Sequence, residues 1–183
     1  MEKIKKALRM LIFTIKWFIK NLTGGKIELT ANGKKSRISS SCDFNCDKKS
    51  KITLGKIDVY PNTHLGAVNG GELKIGDNVF FNRNCIVVSM ESVKVGDNCR
   101  FGPNVCVYDH DHTFGKAKVN GEKFKTAPVE IGNGCWIGAN AVILRGSKIG
   151  DNCVIGAGCI VSGEIPANSL VKSNRENVIE SIR

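Results

Sequence analysis

Proline is scarce in this 183-residue chain, at four residues, and aromatic side chains make up only 7 %. Few large anchors are on offer, so any core has to be assembled from small and branched residues. No run of 18 or more uninterrupted apolar residues occurs, which excludes a transmembrane helix. A secretory signal is also missing: the apolar run 11–15 ends at Lys16, and no small-residue cleavage site follows. The expected environment is therefore a reducing cytosol, where stable disulfides are rare. The eight cysteines include no C-x-x-C pair, and the nearest, Cys42 and Cys46, have no second half of a zinc site. Acidic residues are lacking at one end. Residues 1–51 carry 13 Lys/Arg against 4 Asp/Glu, whereas residues 52–183 carry 14 against 13. The net charge of +10 thus belongs to the N-terminal quarter. The main body has no basic stripe with interleaved aromatics, so a nucleic-acid partner is not expected.

Glycine is abundant, with 20 residues, and 42 % of the chain is hydrophobic, which suits a globular protein. The glycines are ordered. From Ile131 the sequence reads IGNGCW, IGANAV, ILRGSK, IGDNCV, IGAGCI, VSGEIP, a branched residue leading every sixth position. Earlier blocks read IGDNVF, FNRNCI from Ile75 and VGDNCR, FGPNVC from Val95. Between them the step from Val87 to Val95 is eight, a two-residue insertion. A period of six predicts short strands joined by tight corners and stacked as a solenoid. The lead residue should point into a shared core, and Gly or Asp-Asn should permit the corner through positive φ. The fifth position must be small. It is Val79, Cys85, Cys99, Val105, Cys135, Ala141, Ser147, Cys153 and Cys159, so five cysteines read as small buried hydrophobes.

These units resemble the hexapeptide-repeat family, the left-handed parallel β-helix acyltransferases. The IGNGCWIGANAVI stretch, then IGDNCVIGAGCIV and IPANS, is similar to the galactoside/maltose acetyltransferase and polysaccharide O-acetyltransferase branches. The left hand comes from the resemblance alone, since right-handed crossovers are the general rule. The expected fold is all-β: a β-helix over residues 26–171 with irregular first coils at 26–56, a loop extruded at about 108–130, an N-terminal helix in residues 1–25 and a tail at 172–183.

The repeat breaks at YDHDHTFGKAKVNGEKFKTAPVE, which holds two of the three histidines. An excursion from a rigid scaffold is where catalytic groups are commonly placed. Histidine is the side chain suited to proton transfer near neutral pH. The resemblance implies that His110 is the general base, with His112 as second candidate. Asp109, Asp111 or a backbone carbonyl would hold its tautomer, and Asp109 is also a candidate for the acceptor pocket. The resemblance further places Asn82 in that pocket and Trp136 near the coenzyme. Gly138, Ala139, Ala157 and Gly158 would meet the pantetheine. Arg145, Lys148, Lys172 and Arg175 are the cations available to its phosphates. The chain departs from the family after IPANS, where LVKSNRENVIESIR lacks the usual Gly and Pro. Either Lys172 and Arg175 hold the nucleotide end, or it is held loosely.

The implied chemistry is acetyl transfer from acetyl-CoA to a sugar or glycan hydroxyl, with no metal, by a homotrimer whose active sites lie between subunits. Two other classes compete. Solenoids of this kind also resemble the γ-type carbonic anhydrases, whose zinc is held by three histidines; this chain has His64, His110 and His112. A non-catalytic assembly scaffold is the third reading. Finally, Ile4, Ala7, Leu8, Leu11, Ile12, Ile15, Phe18, Ile19 and Leu22 follow helical spacing, with lysines mainly off that stripe. Residues 1–22 then form a basic amphipathic helix. It either packs on protein or lies on an anionic membrane surface, at the inner face of the membrane.

Overall fold

The computed structural model describes residues 24–114 and 119–174. The chain climbs as a three-sided coil. One turn is made by the strands Ser92–Val95, Arg100–Phe101 and Cys106–Tyr108. Stacked turns build three parallel sheets of seven, seven and six strands, one per face. Pairing is in register from coil to coil, so Phe81 lies over Phe101, Phe101 over Ile137 and Ile137 over Ile155. Identical positions of the repeat therefore stack in columns.

The interior is filled as the period predicts. The lead residues from Ile75 to Val161 are all buried, and so are the fifth-position residues. Phe81 and Phe101 stack face to face with centroids 4.5 Å apart. The fifth slot selects for more than size. The thiols of Cys85, Cys99, Cys135 and Cys153 donate to the carbonyls of Gly102, Gly132, Gly150 and Pro166 on the next coil, at 3.0–3.2 Å. The Ser147 hydroxyl likewise lies 3.1 Å from the Val161 carbonyl. Reading these cysteines as mere hydrophobes was incomplete: they are small donors directed along the coil axis.

The corners use Asn and Gly at positive φ as the repeat predicts, at one position of each unit. Positive φ occurs at the fourth position, in Asn78, Asn98 and Asn140 (57°, 60° and 58°), with Gly134 and Gly158 at 67°. The glycine at the second position serves close stacking instead. A Cβ on Gly132 would lie 2.7 Å from the Asp151 nitrogen. Third-position side chains tie coils together there: Asp97 Oδ1 accepts from the Asp77 amide at 2.7 Å, and Asn133 Oδ1 from the Asp97 amide at 2.8 Å. A ladder of asparagine amides, Asn84 to Asn104 to Asn140, runs up the edge between the second and third faces at 3.0 Å per step.

The first coils are regular despite the faint repeat. Lys26–Leu29 and Lys51–Leu54 pair over four positions, and Asp43–Cys46 pairs with His64–Ala67. The repeat is obscured by a 3-10 turn at Gly33–Lys35, while Cys42 and Thr63 still fill the fifth slot and donate to the Tyr60 and Asn82 carbonyls. The proposed N-terminal helix lies outside the described residues. Among the described residues no helix is long and apolar enough to cross a membrane.

The outer surfaces differ. The first face carries ion pairs, Lys51 with Glu28, Lys94 with Glu130 and Lys148 with Glu164. The third face is apolar above its lower coils: Ile86, Cys106, Val142 and Ile160 stand in one outward column. Ile160 is 69 % exposed.

Candidate active site

The extruded segment is an antiparallel hairpin, His110–Phe114 against Val119–Thr126, rising from the edge between the third and first faces. At its foot lies Asp109, with no exposed surface. A buried carboxylate must be compensated by donors. It receives the Met90 amide at 2.8 Å, the Glu91 amide at 2.8 Å and the Ser89 hydroxyl at 2.9 Å, all from the coil below. Its Oδ1 lies 3.0 Å from Nδ1 of His110. That contact places the Nδ1 proton toward Asp109 and leaves Nε2 with its lone pair.

His110 is half-buried between two aromatic rings. Tyr108 and Phe124 each meet its imidazole edge-on at 5.8 Å. Burial, with Cys106 beside it, pushes the Tyr108 phenol up to about 12, so it is neutral at physiological pH. Phe124 reaches back from the return strand and also touches the exposed His112, at 4.6 Å. Sequence reasoning missed Phe124. Its signal would have been the hairpin register, which sets it opposite His112.

The other predicted residues sort by edge. Asp109, expected in the acceptor pocket, is fully buried, and its oxygens face the Met90, Glu91 and Ser89 donors and His110. Asp111 does not touch the imidazole; it pairs with Arg145 on the next coil. Arg145 and Lys148, the latter paired with Glu164, are thus engaged cations. Trp136 is 58 % exposed on the second face. Ala139, Ala157 and Gly158 follow it up the edge between the second and third faces, and the exposed Lys172 ends that column. Gly138 is buried, with a Cβ position 2.6 Å from the Ala157 nitrogen, so its bare backbone serves coil packing. Arg175 lies outside the described residues. Asn82 lies on the same edge as Ala139, two coils below, its side chain accepting from the Arg83 amide at 2.8 Å.

Within one chain the structure therefore does not bring Asn82 or Trp136 to His110. They stand at opposite ends of the third face, separated by at least its four-residue strand Ile86–Ser89, about 13 Å. His64 is likewise remote. It sits on the third face two coils below the hairpin, with Nδ1 2.9 Å from Asp43. The three histidines do not converge in this chain, as a shared zinc would need within one subunit. Among the described residues no group of three or more His, Cys, Asp or Glu is placed to hold a metal.

The geometry defines a parallel β-helix with an acid–histidine pair at an excursion. Comparison with known proteins gives the class. Residues 128–163 match the bacterial transferase hexapeptide (six repeats), and residues 72–109 match the hexapeptide repeat of succinyl-transferase. Both matched stretches lie on the stacked coils of the solenoid. In sequence the chain is 40 % identical over 114 residues to galactoside O-acetyltransferase of Escherichia coli (strain K12), covering 62 % of this chain and 56 % of that protein. The chain thus spans little more than half the length of that relative. In structure it is similar to AntD, an N-acyltransferase from Bacillus cereus solved with dTDP and 3-hydroxybutyryl-CoA. That likeness has a TM-score of 0.66 at 17 % identity, over 84 % of this chain and 80 % of that one. A hexapeptide-repeat containing acetyltransferase from Vibrio cholerae matches with a TM-score of 0.51 at 20 % identity, over 97 % and 92 %. These two likenesses concern the fold.

Proposed function

We propose that this protein is an O-acetyltransferase that moves an acetyl group from acetyl-CoA to a hydroxyl of a sugar or glycan. The observation that carries the reading is the Asp109–His110 pair. The imidazole is fixed through Nδ1 by a buried carboxylate and flanked by two rings, so Nε2 is the group left to take a proton. The galactoside O-acetyltransferase relative supports the sugar acceptor.

In this mechanism His110 Nε2 removes the proton of the acceptor hydroxyl, and the oxygen attacks the thioester carbonyl. The tetrahedral oxyanion collapses, the carbon–sulfur bond breaks, and the imidazolium returns the proton to the departing thiolate. Asp109 stabilises the imidazolium between the two transfers. General base catalysis of this kind contributes about 10²–10⁴-fold. No nucleophilic side chain is needed, because the thioester is already activated.

The coenzyme fits the edge between the second and third faces. Trp136 offers an exposed ring, and Ala139, Ala157 and Gly158 let a chain approach the backbone. Lys172, with Arg175 beyond it, is assigned to the phosphates. Asn82 on the same edge is assigned to the acceptor. Since that edge lies a full face away from His110, a complete site needs His110 of one subunit and the second edge of a neighbour. A homotrimer packed through the apolar third face would supply both. Residues 1–22 are assigned to an anionic membrane surface, which would suit a lipid-linked saccharide acceptor.

The test is release of coenzyme A from acetyl-CoA against a panel of sugars and glycans, with wild-type protein and His110→Ala. Turnover with a hydroxyl acceptor that falls about 10³-fold in the variant supports the reading. Full transfer by His110→Ala overturns the choice of base, and no transfer with any acceptor overturns the reaction class.

A further inference from the structure

On the reading of His110 as the base, we infer that Ser89 is a positioning residue for it, the far member of a buried Ser89–Asp109–His110 relay. Ser89 has no exposed surface. It stands at the corner where the sequence is two residues longer than the repeat requires, between Val87 and Val95. That extra length presents the Met90 and Glu91 amides to Asp109, with Ser89 beside them. The insertion, otherwise a flaw in the register, thus builds the cradle of the carboxylate.

The hydroxyl has one proton and two acceptors within reach. It lies 2.8 Å from the Glu72 carbonyl and 2.9 Å from Asp109 Oδ2. The amide donors of Asp109 are fixed by the backbone, whereas the Ser89 hydroxyl can turn. Turned toward Asp109, the hydroxyl spreads the carboxylate charge, and the imidazolium is held less tightly. Without it Asp109 attracts the imidazolium more strongly, and the base stays protonated to higher pH. Several other charged or titratable groups surround His110. Asp111 on its own strand pairs with Arg145 from the next coil, and Lys125 stands across the hairpin from Asp111. Glu91 donates only its amide from the coil below, His112 is exposed beyond Phe124, and the Tyr108 phenol is neutral.

Ser89→Ala tests the relay, with Ser89→Thr as the variant that keeps a hydroxyl. The expected result for Ser89→Ala is a kcat about tenfold lower, KM for acetyl-CoA unchanged, and an acid limb of the pH–rate profile moved up by about half a unit. Ser89→Thr should return the profile toward wild type. A Ser89→Ala profile that superimposes on wild type, with only the melting temperature lowered, overturns the proposal and makes Ser89 a packing residue. An NMR titration of the His110 ring, in wild type and Ser89→Ala without substrates, separates this from the transferase reading. If wild type transfers no acetyl group but the substitution raises the His110 midpoint, the relay stands and the reaction class falls. If the midpoint does not move, the relay falls whatever the activity.

Discussion

Asp109 and His110 are neighbours in the chain, yet their side chains meet at 3.0 Å because the backbone leaves the coil between them. The carboxylate stays on the coil, fully buried, and the imidazole starts the hairpin. Asp109→Asn keeps the shape but sets an amide donor against the Met90 and Glu91 amides. Kinetics should show kcat falling about 100-fold, and urea unfolding should show a loss of about 2–4 kcal/mol. An Asp109→Asn enzyme with wild-type kcat would remove Asp109 from the mechanism.

The two corner roles, close stacking and positive φ, are separable by melting. Gly132→Ala places a Cβ 2.4 Å from Asp151 Oδ1 and 2.7 Å from the Asp151 amide, with backbone that cannot swing aside. It should cost about 3 kcal/mol, as overpacking does. Asn98→Ala meets the left-handed backbone, φ 60°, and loses the 3.4 Å contact its Oδ1 accepts from Asn78 Nδ2, and should cost about 1–2 kcal/mol. Equal losses would mean that coil stacking does not depend on the bare glycine.

Val142 sits mid-column on the third face, between Cys106 and Ile160. If that face joins subunits, Val142→Lys buries an unpaired charge there. Light scattering after gel filtration should show wild-type trimers and Val142→Lys monomers, and the monomers should lose acetyl transfer. A monomeric wild type that is fully active would end the intersubunit site.

Alkaline stability should report the buried thiols. Burial pushes the Cys85 thiol up to about 11. In an unfolded chain a cysteine ionises near pH 8.5. The native state therefore keeps a proton that the unfolded state loses, and stability falls as pH rises between those values. The group contributes about 2–3 kcal/mol of loss by pH 11. Urea midpoints at pH 7 and pH 10.5 should differ more for wild type than for Cys85→Ser, which keeps a donor for the Gly102 carbonyl.

Vesicles test the N-terminal assignment. Full-length protein should sediment with anionic vesicles and be released by high salt, because lysine attraction to a surface is screened. Protein lacking residues 1–22 should stay in the supernatant. Equal sedimentation of the two removes the membrane assignment.

The solenoid was legible because a six-residue period leaves one physical solution for columns such as Ile131–Ile149 and Phe81–Phe101. The first coils were not, because Gly33–Lys35 and longer turns break the period while the strands still pair. Asn82, Ala139 and Trp136 could be picked out singly by the resemblance to the acetyltransferases. Their separation from His110 could not, since six-fold spacing gives the order of residues along the chain and not which edge faces which partner.

By itself the sequence determined the repeat, the buried lead and fifth positions, and the excursion carrying His110, all of which follow from local spacing and residue size. Only the tertiary structure decided that Asp109, not Asp111, holds the imidazole, that Arg145 is spent on Asp111, and that the inserted corner at Ser89 lies beneath the hairpin. Those contacts join different coils, and the stacking of one coil on the next brings them within hydrogen-bond range.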